Sequence, residues 1–261
     1  MGGRGAKSSI GGGGGLGSII SNGTANPQPV QVDDTQVASA FSTDYNNFMA
    51  MTDDEKADFI SANIKQGVPA HLAQNDFQRF VYNSGLNEKP DVVSDATLDT
   101  MTGTEIFRTV NNVYDRQNDI SYNANQIARQ VMAGRVTRVS DNGGSVYGRG
   151  IYFADSYSES AYGYGNTSGN VKKTAVMRAK LNNNAKTISY SQARSGAMKE
   201  MSSGSKLGKT LSKCDGSSQA SIYAMAKGYN VISSGNGYLN ILNRNAITMS
   251  ADIKPRNGMS W

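Results

Sequence analysis

The amino-acid sequence predicts an α+β fold, and three observations carry that expectation. Helical apolar spacing is concentrated before residue 86, and short β-like runs bounded by Gly, Asn and Ser turns begin near Asp91. Two or three further helical stretches are interspersed among those runs without strict alternation. At 261 residues the chain is long enough for one well-cored domain and a smaller appendage. The expected division is a Gly-rich tail over 1–30, a helical region over 31–85 and a larger α+β domain over 86–261.

The tail contains an unbroken run from Gly11 to Gly15 among Ser and Asn, a composition that cannot offset the entropy of ordering. It reads as a flexible tether or a solubilising end. Asp33 to Met51 then places Val37, Ala40, Phe41, Phe48 and Met49 at helical spacing. Thr52-Asp53-Asp54-Glu55 is a capping box and opens a second helix through Ile64. Pro69 introduces a third across Ala70 to Tyr82, with Leu72, Phe77, Phe80 and Val81 as its apolar residues.

In the larger domain Thr104 to Val110 reads as a strand, Asn118 to Ala133 as a helix with Ile120, Ala124, Ile127, Ala128 and Val131 inward, and Arg135 to Val139 as another strand. The turn Asp141-Asn142-Gly143-Gly144 leads to a strand at Gly150 to Ala154 and a short helix through Ser160, capped by Asp155 or Ser156. Val171 to Leu181 alternates like a half-buried strand. Ser217 to Gly228 reads as a helix with Gly228 as its stop, and Tyr229 to Ile232, Tyr238 to Leu242 and Ala246 to Met249 as closing strands.

Composition narrows the chemistry. The net charge of +5 is spread over Arg4, Lys7 and the stretch Lys172 to Lys213, so a nucleic-acid partner is only weakly signalled and ranks low as an acceptor. Cys214 is the only cysteine and His71 the only histidine, which excludes an intrachain disulfide and a multi-His zinc site, and no metal is expected. His71 reads as a helix-surface residue. No apolar run reaches the roughly 20 residues that span a bilayer, no signal-peptide h-region is seen, and Ala6 stands where an N-myristoylation start needs Ser or Thr. Neither a membrane nor a lipid anchor is expected. Lys206-Leu207-Gly208-Lys209-Thr210 ends in Gly-Lys-Thr, but Ser203 stands where a phosphate-binding loop needs its first Gly, and the segment reads as a loop.

The most informative string is Gly148-Arg149-Gly150-Ile151-Tyr152-Phe153-Ala154-Asp155-Ser156-Tyr157-Ser158-Glu159-Ser160-Ala161-Tyr162. Physically it is a Gly-rich turn feeding a short strand that ends in a hydroxyl-dense helix start. Glycines before Ile151 let a flat ligand approach the backbone, Tyr152 or Tyr162 offers a stacking face, and Ser160 can bind an amide. The same residues also suit a tight turn, a buried strand aromatic and an ordinary helix start.

This string resembles the donor-site segment of the poly(ADP-ribose) polymerase-like branch of the ADP-ribosyltransferase superfamily. The resemblance extends over roughly Val81 to Pro255. It implies two packed antiparallel or mixed β-sheets with flanking helices and NAD+, used as substrate, between them. It implies Tyr152 packing on nicotinamide, Ser160 bonding its carboxamide beside Gly150, and Tyr162 or Tyr164 as the second stacking ring after a one-residue shift. Arg108, within Ile106-Phe107-Arg108-Thr109, takes the first triad place, where a guanidinium forks onto diphosphate or ribose; read without the resemblance it is an ordinary strand arginine. Thr109 replaces the family's Gly, and Leu239 stands where a catalytic Glu begins the last strand, so the triad reads Arg108, Tyr152, Leu239. Glu159 or Glu105 can substitute for the missing carboxylate only if the fold brings either to the cleft. The resemblance implies a mono-ADP-ribosyltransferase (a transferase of the glycosyltransferase class) acting on a protein acceptor in the bacterial host cytoplasm; separately, Met1-Gly2-Gly3-Arg4-Gly5, Gln78-Arg79-Phe80-Val81 and Tyr238 to Ala246 look like phage proteins that append such a domain to head or capsid-assembly genes, which implies a phage origin. The other reading it allows is a non-catalytic virion or head-assembly protein that keeps the NAD-binding fold and contacts phage structural proteins.

Overall fold

A computed structural model describes residues 43–69, 72–86, 88–115, 119–136, 146–158, 160 and 174–255. The chain begins with α1 (Tyr45–Ala50), α2 (Asp53–Lys65) and α3 (Asp76–Ser84). The predicted capping box is present: the Thr52 side chain accepts from the Glu55 backbone N–H, and the Glu55 carboxylate accepts from the Thr52 backbone N–H. The third helix starts later than its apolar spacing suggests. Leu72 and Ala73 donate to the Pro69 carbonyl in a turn, and the Asn75 side chain caps α3 through the Gln78 N–H.

The sheet elements follow as β1 (Asp91–Val93), α4 (Asp95–Thr100), β2 (Glu105–Asn111), β3 (Val113–Asp115), β4 (Ile120–Tyr122), α5 (Ala124–Met132), β5 (Ile151–Ala154) and β6 (Thr174–Leu181). Next come β7 (Thr187–Ser189), α6 (Tyr190–Ser203), α7 (Lys206–Leu211), α8 (Gly216–Ala226), β8 (Val231–Ser233) and β9 (Tyr238–Ile241). A 3-10 turn at Arg244–Ala246, β10 (Ile247–Ser250) and β11 (Lys254–Pro255) complete the described chain.

Three sequence expectations are corrected here. Ile120 to Tyr122 belongs to the hairpin β3–β4 and not to a helix, because Asn123 forms a capping box with Gln126 and starts α5 at Ala124. Lys206 to Leu211 is helical, capped by Ser205 through the Gly208 N–H, and is not a loop. Arg135 and Val136 are not in a strand, while 137–145, 161–173 and His71 lie outside the described residues.

Nine strands form one hydrogen-bonded mixed sheet in the order β1-β10-β6-β2-β5-β9-β8-β7, with β11 also on β6. The fold is therefore mixed α and β, as expected, and the hydrogen bonding runs through one path rather than two separate sheets. That path narrows at its centre. β2 registers with β6 over seven pairs, Glu105↔Lys180 to Asn111↔Thr174, but with β5 through the single pair Phe107↔Ala154. Two half-sheets thus meet at a seam between β2 and β5.

Side-chain alternation sets the two faces. Ile106, Val110, Ala175, Met177, Met249, Ile151, Phe153 and Ile241 form one core with Ile127, Ala128 and Val131 of α5, which packs on β2 and β6. On the opposite face Ile188, Ile232 and Leu242 share a second core with α2, α3, α6, α7 and α8, centred on Phe48, Phe77 and Phe80. The helices before residue 86 accordingly share a core with those that follow β7. Beside β2 and β6, Arg178 ties α4 to the sheet through Asp99 and Glu105. Burial works against its charge, yet these carboxylates hold its pKa above the ordinary value.

Candidate functional site

The seam is built from β2, β5 and the helical turn that follows β5. Tyr157, Ser158 and Ser160 are helical, with the Ser160 N–H donating to the Ser156 carbonyl at 3.1 Å. This turn folds back over β2. The Tyr157 ring meets Phe107 edge-on at 6.2 Å, and the hydroxyls of Ser160 and Thr109 bond each other at 3.0 Å. Ser160, Thr109 and Tyr152 are all buried.

Tyr152 sits opposite Asn240 of β9 and faces away from the α5 core. Its hydroxyl donates to the Gly148 carbonyl at 2.7 Å and accepts from the Tyr147 N–H at 2.9 Å, which locks the Gly-rich turn onto the strand that follows it. Asn240 completes the lock, its amide donating to the carbonyls of Tyr147 and Arg149, each at 3.1 Å. Gly148 and Gly150 therefore have a different task from the one their sequence suggests. A Cβ on Gly148 would lie 2.6 Å from the Ser221 Oγ, and one on Gly150 would overlap the Asn240 side chain and lie 2.7 Å from the Ile241 carbonyl oxygen. The backbone at Gly150 is approached closely by this chain's own β9, leaving no room beside it for a flat ligand.

Arg149 anchors the turn to the helices. Its N–H donates to the Ser221 Oγ and its Nε to the Ser217 Oγ, both at 2.7 Å. Ser217 in turn donates to Asp215, the residue capping α8. Asp215 and Asp76 cap one another's helices: the Asp76 N–H donates to Asp215 at 2.9 Å and the Asp215 N–H to Asp76 at 2.7 Å. Burial pushes the Asp215 carboxyl up, but bonds from Ser217, the Asp76 backbone and Ser218, with the Arg149 charge nearby, hold its pKa below the ordinary carboxylate range. A depressed folded pKa contributes stability above the unfolded pKa and loses it as pH falls through the folded one. Asp215→Asn is accordingly expected to lower stability at neutral pH and to flatten the acid limb of the stability curve below about pH 4. Urea midpoints measured across that range check this, and an unchanged acid limb would remove Asp215 from the cause.

The structure does not bring all the candidate residues together. Arg108 lies on the face of Ile106 and Val110, the α5 side, and Leu239 packs on that core beside Phe153. Tyr152, Thr109 and Ser160 lie on the other side. Arg108 is 5% exposed and donates from Nη1 to the Tyr152 carbonyl at 2.9 Å. No β2 residue is registered with Tyr152, so the guanidinium closes the seam at the point where the ladder stops. Of the carboxylates considered for the place of Leu239, Glu105 is engaged by Arg178, and Glu159 lies outside the described residues together with Tyr162 and Tyr164.

The residues missed from the sequence are Asn240, Ser217 and Ser221, whose partners in the Gly-rich turn are 68 to 93 positions away. No local pattern marks them. Cys214 is buried, and burial, followed by the charges of Asp76 and Asp215, pushes its pKa up to about 12, so its thiol is kept unreactive. Among the described residues no three His, Cys, Asp or Glu side chains gather to hold a metal, and no helix is long and apolar enough to cross a membrane. Comparison of the chain with protein-family models, curated proteins and solved structures finds no match.

Proposed function

We propose that this protein is an ADP-ribosyltransferase-type domain that takes NAD+ as its substrate at the seam and transfers ADP-ribose to a protein acceptor of a bacterial host. The observation that supports this best is the buried Thr109–Ser160 hydroxyl pair, 3.0 Å apart across the seam and next to the strand bearing Tyr152. A nicotinamide carboxamide needs one donor and one acceptor at fixed separation. Two hydroxyls that bond each other can exchange that bond for two bonds to an amide, and hydrogen bonds are stronger where water is excluded.

In the reaction the C1′–N bond breaks, nicotinamide leaves with the electron pair as a neutral molecule, and an acceptor carboxylate oxygen forms the new bond to C1′, with no proton to dispose of. The cationic ribose of the transition state needs a nearby negative charge. Leu239 cannot supply it and Glu105 is held by Arg178, so in this reading the acceptor side chain brings the carboxylate. One observation favours a second reading, a non-catalytic virion or head-assembly component: Arg108 is committed to the Tyr152 carbonyl on the core side.

Incubation with labelled NAD+ and a bacterial lysate distinguishes the two, following nicotinamide release and label transfer. Ser160→Ala is the control, because Arg108→Ala would open the seam. The expected outcome is transfer by the wild type and at least about tenfold less by Ser160→Ala, assayed well below a melting temperature that falls because the buried Thr109 hydroxyl loses its partner. Binding of NAD+ without release or transfer would shift the assignment to the second reading; no binding at all would defeat both.

A further inference from the structure

The turn from β8 to β9 carries Ser234-Gly235-Asn236-Gly237, and among the described residues Asn236-Gly237 is the only Asn-Gly pair. That pair has a chemistry of its own. The backbone nitrogen of the following residue can attack the side-chain amide carbon, and glycine leaves the approach open because it has no Cβ. The turn meets the conditions for this attack. Asn236 is exposed to water, and the Gly237 N–H makes no hydrogen bond among the described residues, so the nucleophile is not tied up in the ladder. The turn is closed around it instead. The Ser234 N–H donates to the Tyr238 carbonyl at 2.9 Å, and the Ser234 hydroxyl accepts from the N–H groups of Asn236 at 3.2 Å and Tyr238 at 3.0 Å.

The leaving group also has a partner. The Asn236 side-chain nitrogen donates to the Tyr147 hydroxyl at 3.1 Å. Attack by the Gly237 nitrogen turns that amide nitrogen, a donor only, into an amine with a lone pair. The phenol that accepted from it is then placed to give it a proton. Tyr147 is held for this: its ring meets Tyr190 edge-on at 5.6 Å, its N–H donates to the Tyr152 hydroxyl and its carbonyl accepts from Asn240.

We propose that Asn236 is a site of spontaneous deamidation, with water as the co-reactant and the Tyr147 hydroxyl as the proton donor. The Gly237 nitrogen bonds to the Asn236 Cγ and loses its proton to water. The Cγ–Nδ2 bond then breaks, and ammonia leaves with the proton from Tyr147, which the phenolate regains from solvent. Water opens the cyclic imide at either carbonyl and gives aspartate or isoaspartate. The new negative charge arises next to Gly237, where a Cβ would lie 2.9 Å from the Asp155 Oδ1, so two carboxylates come to share one turn. Isoaspartate also lengthens the main chain just ahead of Gly237, whose carbonyl accepts from the Asp155 N–H at 2.8 Å. The conversion thus loosens, slowly and in one direction, a loop tied both to the Gly-rich turn and to the start of the helical turn bearing Ser160. The proposal is independent of the reading given to the seam.

The test is ageing of the full chain at neutral pH, followed by digestion and mass spectrometry of the peptide containing residue 236. Growth of aspartate and isoaspartate there, slowed several-fold in Tyr147→Phe, supports the site. Asn22-Gly23 and Asn257-Gly258 are references within the same molecule, and their conversion should not respond to Tyr147→Phe. In urea, with the turn unfolded, wild type and variant should convert at the same rate at 236. Asparagine that persists at 236 while the reference pairs convert overturns the proposal. So does a rate at 236 that is equal in the two folded proteins, or an effect of Tyr147→Phe that survives in urea.

Discussion

Gly150→Ala is expected to destabilise the protein by about 3 kcal/mol or more, the range of an overpacked and strained buried site. Two independent causes add. The residue has φ of +152°, which a side chain rarely adopts, and its Cβ would stand 2.7 Å from the Ile241 carbonyl and overlap Asn240. A neighbouring side chain can rotate away, but a strand carbonyl cannot move without breaking the β5–β9 ladder, where Ile151 pairs with Ile241 and Tyr152 with Asn240. Gly204→Ala separates the causes, since Gly204 has φ of +71° with nothing within 4 Å of its Cβ position. It should cost only about 1 kcal/mol, the backbone strain alone. Urea unfolding of the two variants side by side is the measurement, and equal losses would show that the packing of the Gly-rich turn on β9 is unimportant.

Arg244→Ala is expected to cost about 3–5 kcal/mol, as for removal of a large, hydrogen-bonded, wholly buried side chain. Arg244 is 0% exposed and donates from Nη1 to the carbonyls of Val131 at 3.2 Å and Gln130 at 3.5 Å, in the last turn of α5. Those carbonyls form the negative end of the helix and already accept from the Gly134 and Arg135 N–H groups; the guanidinium adds a charged donor and complements the dipole. Alanine leaves them buried and the space around them empty. Because α5 packs on β2 and β6, the loosening should reach the seam from the β2 side: amide exchange in β2 should quicken along with that in α5. Arg244→Lys keeps the charge but not the fork and should fall between the two. A loss below about 1 kcal/mol in Arg244→Ala would mean that water replaces the guanidinium without penalty.

The same two residues show where legibility in the sequence ends. Gly150 stands out in its string as a glycine, but its reason, the side chain and carbonyl of β9, lies some 90 positions downstream. Arg244 carries no local signal whatever, since a lone arginine after a strand is ordinarily a solvated one. Signals confined to a few residues were legible: the Thr52–Glu55 capping box, the Gly228 stop with φ of +84°, and the strands over 105–111, 151–154 and 238–241 within a residue or two. Asn123 and Asn75 show a limit even there, because apolar spacing continued through both and only the side-chain bond to the third amide ahead fixes where the helix begins.

By itself the sequence determined a mixed α and β fold, and it singled out one segment, 148 to 162, as the candidate site. Periodicity and capping act over three or four residues, and the chain carries them wherever it goes. Only the tertiary structure decided which candidates share a cleft. A strand alternates its faces every residue, so the pairings Tyr152↔Asn240 and Phe153↔Leu239 put Leu239 with the α5 core and Tyr152 on the other side, and the same alternation turned Arg108 inward from Thr109. Register is set by what packs above and below the sheet. No string of residues states it in advance.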